Sequence, residues 1–156
     1  MSQQTPKLSM FSLIVYNLTG GRIQMNSEMS PVGVLELTTT GRKSGQPRKV
    51  SLVYIKSGSA YVVAGSNAGK DRHPAWFFNL CSRPQVLVRI KKRQIPAVAE
   101  IADPAHRRSL WEQLVAASPM FARYERLTQR EIPMIFLHPS EEGMQGDAPI
   151  SYKTNR

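Results

Sequence analysis

The most constraining feature of the sequence is a series of three short stretches rich in β-branched residues. VGVLELTTT (32–40), RKVSLVYIK (48–56) and YVVAGS (61–66) are separated by short turns that contain glycine. Runs of this composition between glycine and proline are typical of strands. Turns this short join strands that pair antiparallel. The segment therefore predicts a three-stranded meander rather than alternating strands and helices.

Three more strands are predicted further along the chain. QVLVRIKK (85–92) and QIPAVAEIAD (94–103) both alternate in polarity, as half-buried strands do. Pro96 lies inside the second of them and predicts an edge strand or a bulge. IPMIFLHP (132–139) is the last strand. Six short strands in this order favour a small closed or split antiparallel barrel, because closure hides the strand edges.

Helices are predicted between these strands. Residues 71–84 contain one helix with Asp71 as its N-cap, and residues 103–118 contain a second with Asp103 as its N-cap. Residues 119–130 form a short helix or an irregular lid. The fold class is therefore mainly β with flanking helices.

The length of 156 residues fits one domain with loose ends. Residues 1–30 form an N-terminal segment with a short amphipathic helix at 8–18, which is far shorter than the ~20 residues that span a membrane. Residues 31–139 form the barrel. Residues 140–156 have little to bury and predict a flexible tail.

Charge and cysteine content narrow the choice of partners. The net charge of +10 implies attraction to nucleic acid, a lipid surface, or a phosphorylated or carboxylated small molecule. Nucleic acid is disfavoured because aromatic residues are not interleaved with the basic ones, as stacking surfaces require. Cys81 is the single cysteine, so nothing points to an oxidising compartment. The three histidines are too widely spaced to predict a metal site.

The turn GRKSGQPR, from Gly41 to Arg48, carries more positive charge than a turn needs. Gly41 and Gly45 allow backbone conformations with positive φ, and such turns aim several N–H groups into one concavity, which binds anions. Arg42, Lys43 and Arg48 add charge, and arginine can bind phosphate or carboxylate bidentately. Two interpretations stay open for these residues alone: an anion-binding hairpin and a solvated basic turn.

AGSNAGKDRHPAWFFNL (64–80) is the second unusual stretch. Backbone donors at the end of a strand and the start of a helix can meet the polar edge of a flat ligand. Trp76 could pack against a ring, although a Trp-Phe-Phe run is also typical of a core. No nucleophile with a base, paired carboxylates or metal cluster is evident, so any chemistry is expected to come from a bound cofactor.

Four segments in this order resemble one known family: LTTTGRKSGQPR, LVY, AGSNAGKDRHPAWFFNL and IPMIFL. They are similar to the deazaflavin-dependent nitroreductases, the F420H2-dependent quinone and nitro reductases, over roughly residues 30–139. The resemblance implies a split β-barrel of the flavin-reductase or pyridoxamine-phosphate-oxidase (PNPOx-like) type. It also implies coenzyme F420 and hydride transfer from C5 of the reduced ring to an electron-poor acceptor such as a quinone or nitroaromatic.

The resemblance also implies which residues form the site. The phosphate and polyglutamate tail of F420 is expected against Arg42, Lys43, Ser44, Gly45, Gln46, Pro47 and Arg48. The deazaflavin is expected among Val50, Ser51, Leu52, Ala64, Gly65, Ser66, Asn67, Pro74, Ala75 and Trp76. Ser66 and Tyr124 are the residues expected to act in catalysis, and the acceptor is expected to contact Val53, Phe121 and Tyr124.

Departures from the family and alternative functions remain. Ser118 and Phe121 stand where the best-known nitroreductase has tyrosines, so the acceptor pocket is expected to differ. The alternatives are an FMN-binding split-barrel oxidoreductase and a non-catalytic binder of an anionic or hydrophobic ligand. We expect a cytoplasmic protein, peripheral at the inner face of the membrane through residues 1–30, and a homodimer.

Overall fold

The computed structural model describes residues 32–140 and Ile150. Within them the chain forms six strands, three α-helices and one 3-10 turn. The strands are β1 (Val32–Thr40), β2 (Pro47–Ser57), β3 (Ala60–Ala64), β4 (Gln85–Ile90), β5 (Arg93–Ile101) and β6 (Met134–Pro139). The helices are α1 (Ala75–Ser82), α2 (Pro104–Ala117) and α3 (Met120–Leu127), and the 3-10 turn is Asn67–Gly69. The predicted helix at 8–18 and most of the predicted tail lie outside the described residues.

The six strands close into a barrel in the order β1-β2-β3-β6-β5-β4, and every neighbouring pair is antiparallel. The barrel predicted from the alternating stretches is therefore confirmed, and so is the β1-β2-β3 meander. Closure gives each strand two partners, because β4 returns to pair with β1. A sheet of six short strands thus leaves no unpaired edge.

The period-two alternation of the strands sorts their side chains into two buried clusters. Five strands supply buried residues to the first cluster and β2 packs partly buried residues against it, so this cluster is the interior of the barrel. The helix α1 adds Trp76, Phe77 and Leu80 to it. The second cluster lies outside the barrel, where α2 and α3 pack. In β3, for example, Tyr61 and Val63 face the interior and Val62 faces the helices.

Two local predictions are wrong for identifiable reasons. The first helix after β3 begins at Ala75 with Pro74 as its N-cap, while the Asp71 carboxylate instead accepts a hydrogen bond from the Thr128 hydroxyl at 2.9 Å. Pro96 is neither at an edge nor in a bulge, since its pairing with β4 is continuous. Its carbonyl faces the end of β6 and accepts from the Ser140 amide at 2.9 Å. A missing N–H costs nothing there, because the β6 ladder has already ended.

Other helix predictions are confirmed, and one contact in the tail was not predicted. Asp103 caps α2, accepting from the His106 amide at 2.9 Å, and α3 is a regular helix. Ile150 docks on α1, donating its amide to the Cys81 carbonyl at 2.8 Å and packing against the interior cluster. Across residues 32–140 and Ile150, no helix combines the length and apolar character that crossing a membrane requires.

Candidate functional site

The turn between β1 and β2 needs its two glycines for different reasons. Gly45 has a φ of 69°, a left-handed conformation that glycine adopts readily. Gly41 is not left-handed, but a Cβ there would lie 2.6 Å from Ser44 Oγ and 3.1 Å from the Gln46 carbonyl oxygen. The positive φ that both glycines allow is therefore adopted at Gly45 and not at Gly41, where space is the constraint.

The backbone donors of this turn are largely occupied within the protein. The Gly41 amide donates to the Gln46 carbonyl at 2.8 Å, and the Gly45 amide donates to the Gly41 carbonyl at 2.8 Å. The Gln46 amide donates to Ser44 Oγ at 3.1 Å. The predicted cradle of backbone amides is therefore wrong for these three groups. Binding of an anion would depend on the side chains of the turn.

A buried asparagine that sequence reasoning missed anchors the turn to α1. Asn79 Oδ1 accepts from the Arg42 amide at 3.1 Å, and Asn79 Nδ2 donates to the Thr39 hydroxyl at 3.1 Å. Asn79 and Thr39 are both buried. The Arg42 guanidinium lies over the Phe78 ring at 4.9 Å, a cation–π contact that orients it. The available signal was a polar residue within an otherwise apolar helix, AWFFNL.

A cleft of about 440 Å³ lies between this turn and α1. Its lining brings together all three cationic residues predicted to bind the coenzyme with three of the residues predicted near the ring. The lining residues are Gly41, Arg42, Lys43, Ser44, Arg48, Lys49, Val50, Ala75, Trp76 and Asn79. Predicted residues outside this lining are Gly45, Gln46, Pro47, Ser51, Leu52, Ala64, Gly65, Ser66, Asn67 and Pro74.

The cleft is strongly cationic because, among the residues that the structure describes, only one of its cations has an acidic partner. Glu36 Oε1 lies 3.4 Å from Lys49 Nζ, and Glu36 Oε2 lies 3.3 Å from Arg89 Nη2. This explains the carboxylate in the middle of β1, which pairs with cations on both neighbouring strands. Among residues 32–140, no carboxylate forms an ion pair with Arg42, Lys43 or Arg48.

Trp76 belongs to both the core and the cleft. It is 8% exposed and packs in the barrel interior, and its remaining surface forms part of the cleft wall. The two interpretations of this residue are therefore compatible. An aromatic wall beside cationic side chains can hold a ligand that joins a ring to an anionic group.

The loop that follows β3 is the second predicted part of the site, and it is built very differently. Asn67, Ala68 and Gly69 all have positive φ, at 46°, 54° and 78°. Such conformations are costly for residues with a Cβ and persist only where the surroundings impose them. Arg130 supplies that constraint by donating to the Gly65 carbonyl at 3.1 Å and to the Ser66 carbonyl at 2.9 Å.

The residues predicted to contact the acceptor lie on the helix side of the barrel. Val53 and Phe121 are 7% and 5% exposed within the cluster beneath α2 and α3. Phe121 packs edge-on against Tyr124, with ring centroids 5.6 Å apart. The Tyr124 hydroxyl donates to Met120 Sδ at 3.3 Å, and burial raises the pKa of this phenol. Tyr124 is therefore the accessible member of the three and keeps its proton at neutral pH.

The arrangement of side chains favours binding over covalent catalysis. Burial raises the pKa of the Cys81 thiol to about 11, so it stays protonated and is a poor nucleophile at neutral pH. Within the part of the chain that the structure describes, no group of three or more His, Cys, Asp or Glu side chains could hold a metal ion. The cleft offers cationic side chains and an aromatic wall, which suits a bound redox coenzyme.

Comparison with known proteins identifies the class. The family model described as F420H(2)-dependent quinone reductase matches residues 11–139. An F420H(2)-dependent quinone reductase of Mycobacterium tuberculosis H37Rv is 34% identical over 128 residues, which cover 79% of this chain and 84% of that protein. A relative from the CDC 1551 strain of the same species matches equally well.

Solved structures agree with this class. An F420-H2 dependent reductase, FDR-A, superposes with a TM-score of 0.62 and 32% identity, covering 67% of this chain and 93% of its own. A structure described as a domain-swapped dimer has a TM-score of 0.63 and 31% identity, covering 82% and 93%. The heme storage protein HutZ of Vibrio cholerae shares the fold alone, with a TM-score of 0.53 and 15% identity.

The fold and the relatives define an oxidoreductase of the split-barrel class that depends on a deazaflavin coenzyme. The chain belongs to the F420H2-dependent quinone reductase family. The resemblance noted in the sequence, the enzyme class and coenzyme F420 are thereby confirmed.

Proposed function

We propose that this protein reduces a quinone with F420H2 and that the cleft beside α1 holds the acidic end of the coenzyme. Family membership supports the coenzyme and the quinone class. The residues that carry out each part of the function are proposed from the geometry of this chain. Bound F420H2 supplies a hydride, and a quinone that accepts it with one proton becomes a hydroquinone.

The single observation that carries the proposal is the cationic cleft. Arg42, Lys43 and Arg48 have no carboxylate partner among the described residues and converge on one surface beside Trp76. A carboxylated and phosphorylated ligand fits this donor set, because guanidinium groups bind such anions bidentately. Asn79 holds the turn in place through backbone and side-chain hydrogen bonds. The cations are therefore presented on a fixed scaffold.

The remaining roles follow from where the side chains lie. Ser66, half-buried in the loop after β3, is proposed to hydrogen-bond the polar edge of the deazaflavin, with Val50, Ala75 and Trp76 against the ring. Tyr124 is proposed to contact the acceptor as a neutral hydrogen-bond donor, since burial raises the pKa of its phenol. The chain thus orients the two reactants, and the coenzyme supplies the electrons.

Titration of the purified protein with F420, followed by fluorescence, tests the proposal. Each charge-assisted contact is worth about 1.5–3 kcal/mol when partly shielded. Arg42→Ala or Lys43→Ala should therefore weaken F420 binding by roughly ten- to one-hundred-fold. Folding should be intact because both side chains are exposed. Lys92→Ala, in the exposed β4–β5 turn, is the matched control and should bind as the wild type does.

Unchanged dissociation constants for both cleft variants would remove the site assignment. A parallel titration with FMN is needed because the phosphate of FMN would also suit this cleft. Tight FMN binding with no F420 binding would favour the flavin alternative. Assays with quinone and nitroaromatic acceptors then identify the preferred acceptor class.

Two further proposals concern membrane association and oligomeric state. Quinones dissolve in lipid, and residues 1–30 include the apolar stretch LSMFSLIVYNL, so we propose that this segment brings the enzyme to a membrane surface. Flotation with liposomes, with and without residues 1–30, tests this.

A homodimer is also proposed, since a structural relative is described as a domain-swapped dimer. Sedimentation of the full chain measures the oligomeric state.

A further inference from the structure

Arg130 occupies a position where the β-ladder cannot continue. The Gly65 amide donates to the Pro133 carbonyl at 2.9 Å, which extends the β3–β6 ladder by one residue. Proline has no N–H, so Pro133 cannot return the second hydrogen bond of that pair. The Arg130 guanidinium donates to the Gly65 carbonyl instead, at 3.1 Å. A side-chain hydrogen bond from Arg130 thus replaces the missing backbone hydrogen bond.

The same guanidinium holds the loop beyond the end of the sheet. Arg130 Nη2 donates to the Ser66 carbonyl at 2.9 Å, and Arg130 Nε donates to the Lys70 carbonyl at 2.8 Å. These contacts bracket the three left-handed residues Asn67–Gly69 on both sides. Arginine suits this role because its planar group carries five donors in a fixed geometry.

Arg130 also joins this loop to α3. Its own amide donates to the Thr128 hydroxyl at 3.2 Å, and that hydroxyl donates to the Asp71 carboxylate at 2.9 Å. Gly69 lies so close to α3 that a Cβ would be 2.9 Å from Leu127 Cβ. The loop that carries Ser66 is therefore in direct contact with the C-terminal end of α3, the helix that carries Tyr124.

We infer that Arg130 is a positioning residue, which orders the loop Gly65–Lys70 and so sets the ring-side half of the site against α3. The inference rests on the proposed function for its consequence in binding, while the ordering of the loop can be measured without coenzyme. Arg130 acts through the loop carbonyls, and it is not assigned a contact with coenzyme or acceptor.

Amide hydrogen exchange measures the ordering directly. The Gly69 amide donates to the Ser66 carbonyl and the Lys70 amide to the Asn67 carbonyl, so both amides report on the loop. Arg130→Met should speed their exchange by roughly tenfold or more while the interior amides of β3 keep their protection. Arg130→Lys should behave similarly, because one ammonium cannot bridge three separated carbonyls. Arg126→Met, an exposed cation at the end of α3, is the matched control and should leave exchange unchanged.

F420 titration and chemical rescue link the loop to binding. Arg130→Ala should raise the F420 dissociation constant by about tenfold, and millimolar guanidinium ion should restore part of the affinity by filling the vacated position. The same ion should not change binding by wild type or by Arg126→Ala. Rescue distinguishes a local ordering role from a general loss of stability, which added guanidinium would only worsen.

The outcomes separate the inference from the proposed function. Unchanged loop exchange in Arg130→Met, or exchange that rises equally in the loop and in β3, would overturn the inference. Absence of F420 binding by the wild type would overturn the proposed function, and the exchange comparison would still decide whether Arg130 orders the loop. Faster loop exchange with unchanged F420 affinity would show that this loop does not position the coenzyme, which also overturns the inference.

Discussion

The basic turn after β1 and the loop after β3 are both irregular, but they are stabilised in opposite ways. The turn satisfies its own backbone, with the Gly41 and Gly45 amides bonded inside the turn, and leaves its charged side chains exposed. The loop has three consecutive residues in left-handed conformations and depends on Arg130 from a distant part of the chain. Charge is therefore displayed on a turn that forms most of its own backbone hydrogen bonds and has one anchor on α1, while the shape of the loop after β3 is imposed by Arg130.

A continuous series of contacts connects the two regions. The Arg42 guanidinium lies 4.9 Å from the Phe78 ring centroid, and the Phe78 and His73 ring centroids are 5.8 Å apart. His73 Nδ1 is 3.0 Å from Arg130 Nη1, which in turn binds the carbonyls of the loop. A coenzyme that engaged both regions would therefore bind residues that are connected to one another through Phe78 of α1. This difference in construction predicts different responses to mutation on the two sides.

The largest contrast is expected between Gly69→Ala and Gly45→Ala. Both glycines have positive φ, at 78° and 69°. A Cβ at Gly45 would contact nothing within 4 Å, so the free energy of unfolding should fall by only about 1–2 kcal/mol from backbone strain. A Cβ at Gly69 would lie 3.0 Å from the Tyr124 carbonyl oxygen, so strain and overpacking together should cost roughly 2–5 kcal/mol.

Urea denaturation of the two variants measures this difference. Equal losses of stability would mean that the loop can move away from α3 without penalty. The two regions would then be equally self-contained, contrary to the comparison above.

Asn79→Leu should have the next largest effect, and it tests whether the basic turn is as independent as its internal hydrogen bonds indicate. The substitution removes the acceptor of the Arg42 amide and the donor to the buried Thr39 hydroxyl. Loss of these partners should destabilise the fold by about 1–3 kcal/mol. Adding Thr39→Val should recover part of that loss, since removing both partners of a buried hydrogen bond costs less than removing one.

F420 titration of Asn79→Leu sharpens the result. A weaker affinity would show that the turn needs α1 to present its cations. An affinity equal to that of the wild type, despite lower stability, would show that the turn holds its shape unaided.

The sequence predicted the framework of this protein well because the framework depends on local periodicity. Alternation in β4 and β5 and the glycine turns of the meander are local signals, and closure of the barrel follows from them. The cationic character of the cleft was equally visible in Arg42, Lys43 and Arg48. The hydrogen bonds by which Asn79 and Arg130 hold the turn and the loop could not be predicted from the sequence, because their partners lie 37 and 65 positions away.

Three local predictions failed for reasons that composition does not reveal. Aspartate is a common N-cap residue, but the Asp71 carboxylate accepts a hydrogen bond from the Thr128 hydroxyl instead. Glycine readily adopts a left-handed conformation, but Gly41 is required because a Cβ there would collide with Ser44. Pro96 is tolerated in a closed barrel because the neighbouring strand ends beside it. At Asp71 and Pro96 a contact with a distant part of the chain decided between local alternatives that the sequence left equal, whereas at Gly41 the deciding contacts lie within the turn itself.

The smallest expected effect is a pH dependence confined to the loop. Burial and the neighbouring Arg130 guanidinium lower the pKa of His73 below its usual 6.5, and its Nδ1 accepts from Arg130, which can only donate. The folded protein therefore resists protonation that the unfolded chain accepts. The contribution of neutral His73 to the free energy of unfolding should be complete above pH 6.5. It should decline as the pH falls from 6.5 to the lowered pKa of His73.

His73→Asn is the variant that isolates this group, because an amide oxygen can still accept from Arg130 but does not titrate in this range. The wild type should show faster exchange of the Gly69 amide as pH falls through the window, after correction for intrinsic exchange, and His73→Asn should show a flatter response. The Gly45 amide should respond alike in both proteins, because GRKSGQPR contains no histidine. Equal responses at Gly69 in the two proteins would show that His73 does not report on Arg130. The loop would then share the insensitivity to acid expected of the basic turn.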